Sequence, residues 1–248
     1  MGLARDFGAQ VSSGTPDFVL LDFDGTVVDS EPGVLASYRH VLDAYGLEAD
    51  SDALRACLGP HIRHGLAGLG VQPDEMDGAV SMFRAWYGEH GIFDCRLYDG
   101  IVETLERLTG AGIPLGLATI KLDTYARRLL EHLGIEQHFS VVEGSGAKRS
   151  VDGKTDIVAD ALRAAGVAAT DSVLMVGDHP HDMRAAVANN LRPIGAGWGY
   201  SSRAELLGAG AQLVLDSPAD LTELIATLSL ATATSKRSAA GGSGETRI

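Results

Sequence analysis

Five residues in this chain carry the types and spacing that phosphate chemistry needs. Asp22 and Asp24 stand at i, i+2 directly after the apolar run Phe18-Val-Leu-Leu and before Gly25-Thr26. Residues two apart on an extended segment point to the same side, so both carboxylates are offered together. Thr119 closes a second apolar run, Pro114-Leu-Gly-Leu-Ala, and a hydroxyl there can donate to a phosphate oxygen. Lys154 follows Gly153 at a helix start, where an ammonium could hold a phosphate and a carboxylate together. Asp178 ends a third apolar run, Ser172-Val-Leu-Met-Val-Gly, and Asp182 follows four residues later. Taken singly, each has a plainer reading: a turn or capping Asp, a packed Thr, a solvated Lys.

The elements that must position them follow from periodicity. Continuous apolar runs bounded by turn residues predict buried, parallel-type strands at 18–21, 114–120, 139–142, 172–178, 191–194 and 213–215. Helical spacing alternates with these strands from residue 101 onward and ends in a helix over 221–228. The expected fold is α/β, a Rossmann-like, doubly wound parallel sheet, with the acidic residues at strand C-terminal ends where such sheets bind ligands. Between residues 32 and 95 the texture is helical throughout. Pro32 opens an apolar stripe that Gly46 ends, and Pro73 opens another through Met76, Val80, Phe83 and Tyr87. The expected organisation is a leader over 1–16, a core of 17–31 plus 96–231, an inserted helical cap of 32–95, and a disordered tail over 232–248.

Composition narrows the partners. The chain has 248 residues and a formal net charge of −13, which disfavours nucleic acid and anionic membrane surfaces. A phosphate site on such a surface needs local cations. No apolar run approaches the roughly 18 residues that span a membrane, and Met1-Gly-Leu-Ala-Arg-Asp lacks a signal-peptide core. Two cysteines, Cys57 and Cys95, predict reduced thiols and a cytoplasmic location. His179 and His181 flank Asp178 but lack the partners of a zinc site. Trp86-Tyr87 reads as packing inside the insert rather than a stacking platform.

Asp22-x-Asp24-Gly-Thr, Thr119, Lys154 and Val176-Gly-Asp178, in this order, resemble the four motifs of the haloacid dehalogenase (HAD) superfamily. The resemblance covers about residues 17–231. The insertion after Asp29-Ser30, with Tyr125-Ala-Arg-Arg and Gly197-Trp-Gly-Tyr200, is similar to the helical-cap, phosphoglycolate-phosphatase-like subfamily. Ile120 departs from the pattern, since relatives often carry Asn or Ser there.

The resemblance implies a Mg²⁺-dependent phosphatase of a small phosphorylated metabolite such as phosphoglycolate. It implies Asp22 as nucleophile, Asp24 as acid and base, and Thr119 and Lys154 as phosphoryl-holding groups. The implied metal ligands are the Asp22 carboxylate, the Asp24 carbonyl and Asp178. Arg63 in the cap and Lys121 beside Thr119 are the candidate substrate-binding residues, Arg63 for a distal anionic group. A nucleoside monophosphate phosphatase, a phosphosugar mutase and a non-catalytic binding domain remain the alternatives.

Overall fold

The structure, a computed structural model, describes residues 14–146 and 153–241, with side chains up to Leu230. Strand β1 (Phe18–Leu21) is buried along its whole length, as a four-residue apolar run covered on both faces must be. It lies at the centre of a parallel sheet with β4 (Leu115–Leu122), β5 (Phe139–Ser145), β6 (Val173–Gly177), β7 (Arg192–Ala196) and β8 (Leu213–Leu215). The strand order is β5-β4-β1-β6-β7-β8. β1 pairs with β4 through Val19↔Leu115 and with β6 through Leu21↔Val176. The chain thus leaves β1 toward one side and returns on the other, and a crevice opens at the C-terminal ends of β1, β4 and β6.

Helices α5 (Ile101–Gly110), α6 (Asp123–Leu133), α7 (Lys154–Ala165), α8 (Pro180–Ala188) and α9 (Arg203–Gly208) connect these strands. α6 and α7 end on Gly134 and Gly166 in the left-handed conformation, which glycine adopts without steric cost. α10 (Pro218–Gly241) corrects one expectation. The tail was expected to lack structure from residue 232, yet the helix carries the backbone to Gly241. Ala231, Ala233, Ala239 and Ala240 are strong helix formers, and neither Gly nor Pro interrupts the run. Residues 1–13 of the expected leader and 242–248 of the expected tail lie outside the described residues.

Between β1 and β4 the chain builds a helical layer: α1 (Glu31–Tyr45), α2 (Ser51–Arg55), α3 (Ile62–Gly68), α4 (Met76–Trp86) and a π-helical turn, Tyr87–Gly91. It leaves and re-enters the core through a ribbon of two very short antiparallel strands, β2 (Val28–Asp29) and β3 (Arg96–Leu97). Arg96 fastens this ribbon with two hydrogen bonds to the Asp29 carboxylate, at 3.1 and 3.0 Å. Gly33 of α1 lies against the backbone of Gly91 so closely that a Cβ there would collide with the Gly91 carbonyl.

Candidate active site

β1 delivers Asp22 and Asp24 to the crevice, β4 delivers Thr119 and Lys121, α7 opens on Lys154, and β6 ends beside Asp178. Lys154 Nζ donates to Asp22 Oδ1 at 2.7 Å and pairs with Asp182 Oδ1 at 2.6 Å. All three side chains are buried. Burial acts against the Lys154 ammonium, but the Asp182 and Asp22 carboxylates outweigh it and hold the charge firmly on the amine. Burial, with the nearby charge of Asp182, pushes the Asp22 carboxyl up to about 7 despite Lys154.

Asp178 sits deeper still. Thr26 Oγ1 donates to it at 3.2 Å and the Tyr200 backbone N–H at 2.9 Å. Burial and the charges of Asp22 and Asp182 nevertheless raise its carboxyl well above the ordinary range. Two glycines make room for it. Gly25 has φ +81°, and a Cβ on either Gly25 or Gly199 would collide with the Asp178 side chain. Trp198 fastens the neighbouring turn by donating from Nε1 to the Thr26 carbonyl at 3.0 Å.

Asp24 is held differently. Ser30 Oγ donates to its Oδ1 at 2.5 Å, and Lys121 Nζ stands 3.0 Å from the same oxygen. Lys121 also donates to the Tyr87 hydroxyl at 2.6 Å, with its ammonium 4.6 Å from the centre of that ring. Burial opposes the Lys121 charge, but Asp24 and Tyr87 outweigh it and keep the amine protonated. The buried Thr119 hydroxyl accepts from the Lys121 backbone N–H at 3.1 Å, which leaves its proton to be donated.

Asp22, Asp24, Thr119, Lys121, Lys154 and Asp178 therefore converge on one place. Arg63 does not join them. Its guanidinium pairs with Asp77 on α4, at the surface of the helical layer, while its neighbours His61 and Ile62 border the cleft. The reason is local: the His61 ring caps α3 by accepting the Arg63 backbone N–H at 3.2 Å, and the helix then aims residue 63 away from the cleft.

Three participants escaped the sequence reading. Asp182 both braces Lys154 and accepts the His179 backbone N–H at 3.0 Å at the start of α8; its place four residues after Asp178 suits either task. Tyr200, whose hydroxyl accepts the Ser30 N–H at 2.9 Å, was flagged only as part of a family-like segment. Tyr87 packs in the helical layer as expected, yet its hydroxyl reaches Lys121. Its signal is the polar end of an otherwise apolar side chain. His179 serves as the N-cap of α8 and stacks on His181 at 4.6 Å.

Asp22, Asp178 and Asp182 bring carboxylate oxygens within 4.8 Å of one another. Together with Asp24 these four carboxylates face only the ammonium groups of Lys154 and Lys121 in the site just described. Such an excess of buried negative charge is costly, and a hard divalent cation with oxygen ligands offsets it. The donor set therefore fits Mg²⁺. Asp182 is the least available of the carboxylates, being committed to Lys154.

The model of the haloacid dehalogenase-like hydrolase family matches residues 19–196. The chain belongs to that family. Tyrosine-protein kinase PtkA of Mycobacterium tuberculosis is 35% identical over 211 residues, 85% of this chain and 72% of that protein. The 5'-nucleotidase of Pseudomonas aeruginosa is 32% identical over 190 residues, 76% of this chain and 86% of that protein. Among solved structures, a predicted phosphatase from Clostridium acetobutylicum superposes with a TM-score of 0.78 at 29% identity, covering 86% of this chain and 99% of the other. The α/β architecture is that of the HAD proteins, and the chain is an enzyme of the HAD phosphatase type. No helix among the described residues is long and apolar enough to cross a membrane.

Proposed function

We propose that this enzyme hydrolyses a small phosphomonoester with the help of Mg²⁺, through an aspartyl-phosphate on Asp22. The observation that carries the reading is the Asp22 carboxylate, held at 2.7 Å by Lys154 at the end of the central strand, with Asp24 beside it facing the same cleft. Asp22 would attack phosphorus and form a carboxyl–phosphate bond as the ester bond breaks. Asp24 would give its proton to the departing oxygen, then take one from the water that releases inorganic phosphate. Lys121 and Ser30 keep Asp24 in place for both steps. Thr119 and Lys154 would bind the phosphoryl oxygens, and Asp182 fixes Lys154 so that little reorganisation is needed.

Mg²⁺ would be held by the Asp22 carboxylate, the Asp24 backbone carbonyl and Asp178. Its contribution is to offset negative charge between these oxygens and the phosphoryl group. Residues 32–95 would act as a cap that excludes water and encloses the leaving group. A cytoplasmic location is supported by the two free cysteines, Cys57 and Cys95. The names of the mycobacterial and pseudomonad relatives concern tyrosine and nucleotides, so the acceptor of the phosphoryl group is worth measuring as well as its donor.

The deciding experiment is Asp22→Asn in protein separated from host phosphatases. The amide is nearly isosteric and cannot act as nucleophile, so release of inorganic phosphate from p-nitrophenyl phosphate should stop while the circular dichroism spectrum is kept. Turnover surviving at a substantial fraction of the parent rate would refute the assignment.

A further inference from the structure

The wall of the cleft beyond the reacting groups is aromatic, and it is continuous. Tyr38 of α1 meets Phe83 of α4 edge-on at 4.7 Å between ring centres. Phe83 stacks on Tyr87 at 6.0 Å, and Tyr87 meets Tyr125 of α6 edge-on at 5.6 Å. All four rings border the same cleft as Asp22, Asp24 and Thr119. Their polar ends are largely engaged elsewhere: Tyr87 with Lys121, and Tyr125 by donating to the Arg84 carbonyl at 2.8 Å. What remains on offer toward a ligand is ring surface. Val34, Leu58, Ile62 and Ile120 extend the apolar lining, Ile120 directly beside Thr119.

The wall begins at the reaction centre. Lys121 touches both the Asp24 carboxylate and the Tyr87 hydroxyl, so the first ring lies one side chain away from the acid. On the reading that Asp24 protonates the leaving oxygen, the atoms attached to that oxygen must meet these rings. A small anionic alcohol would leave them uncovered, and Lys121 is already committed to Asp24 and Tyr87. We infer that the enzyme selects phosphomonoesters whose alcohol carries a planar aromatic ring, seated among Tyr38, Phe83, Tyr87 and Tyr125. Rings favour edge-on and offset contacts with other rings, which this wall supplies from both sides of the cleft. The ring could belong to a nucleobase or to a benzene-type group; the chemistry of the wall is common to both.

The proposal rests on the phosphatase reading, and the experiment separates the two. Values of kcat/KM are measured in pairs that keep the leaving oxygen on a primary alcohol: adenosine 5'-monophosphate against ribose 5-phosphate, and benzyl phosphate against ethyl phosphate. Phosphoglycolate is included because Arg84 also borders the cleft. A preference of about tenfold or more for the ring-bearing member is expected in at least one pair, and the pair that shows it names the source of the ring. Phe83→Leu, which keeps apolar bulk but removes a ring, should bring that ratio close to one. Should this variant not fold, Tyr125→Leu on the opposite wall makes the same test. Ratios below tenfold in both pairs, or phosphoglycolate as the best substrate, overturn the proposal. If no ester is turned over, the phosphatase reading fails, and the dissociation constants of benzylphosphonate and ethylphosphonate by calorimetry decide the pocket alone. At least tenfold tighter binding of the benzyl compound sustains it, and a smaller difference overturns it.

Discussion

Removing one hydroxyl tests how the helical layer and the catalytic acid are joined. In Tyr87→Phe the ring stays and the 2.6 Å hydrogen bond from Lys121 goes. A hydrogen bond to a charged group contributes about 1.5–3 kcal/mol. Lys121 keeps its 3.0 Å contact with Asp24 and its place over the ring face, so the loss belongs in the lower half of that range. About 1.5–2 kcal/mol corresponds to a fall of roughly 10–30-fold in kcat/KM. The bond joins groups on either side of the cleft and touches the acid rather than the leaving group, so the loss should be similar for every substrate. Steady-state kinetics on p-nitrophenyl phosphate and on two unrelated esters would measure it. A change of less than about twofold, or a loss confined to one substrate, would refute the idea that Tyr87 braces Asp24 through Lys121.

Other outcomes can be read directly. EDTA should abolish turnover and Mg²⁺ restore it, whereas Ca²⁺ should inhibit, because its longer bonds and higher coordination number misplace Asp22 relative to phosphorus. Phosphate release in each buffer checks this. Arg63→Ala should leave kcat/KM within about twofold for all substrates and cost less than about 1 kcal/mol in thermal denaturation, as expected of an exposed ion pair. Burial pushes both thiols up to about 11, so Cys57 and Cys95 should stay protonated and alkylate slowly at pH 8. The half-buried Cys95 should gain reactivity toward iodoacetamide as the pH rises toward 11, which mass spectrometry would follow.

The strands that carry the site were legible because burial on both faces leaves an unbroken apolar run, as in Phe18–Leu21 and Val173–Gly177. Their acidic ends were legible because a carboxylate directly after such a run has few structural uses. β2 and β3 were not legible: two residues each carry no periodicity, and their pairing exists only because the insert returns beside its own exit. α9 was missed although its signal was present, since Ser202 and Glu205 form a reciprocal cap, a pattern readable at three-residue spacing. Arg63 misled because charge type says nothing about direction; the His61 cap turns it toward Asp77. The Lys154–Asp182 pair and the Lys121–Tyr87 bond join residues far apart in sequence, and a single sequence holds no sign of which charge meets which.

The central position of β1 has a consequence for how the chain acquires its fold. Val19 must find Leu115 and Leu21 must find Val176, so the first strand made is among the last to be satisfied. During synthesis Phe18–Leu21 waits as an unpaired apolar segment, the kind of edge that invites association with other chains. The β2–β3 ribbon shortens that wait in conformational terms. Once Val28 pairs with Leu97, the helical layer no longer counts as loop, and the span left between β1 and β4 is short. Loop closure grows only logarithmically with length, about 0.6 kcal/mol per doubling, so the gain is modest in stability but falls on the step that limits non-local pairing. An early-forming ribbon would make the order of events in folding run from the insert inward to the sheet.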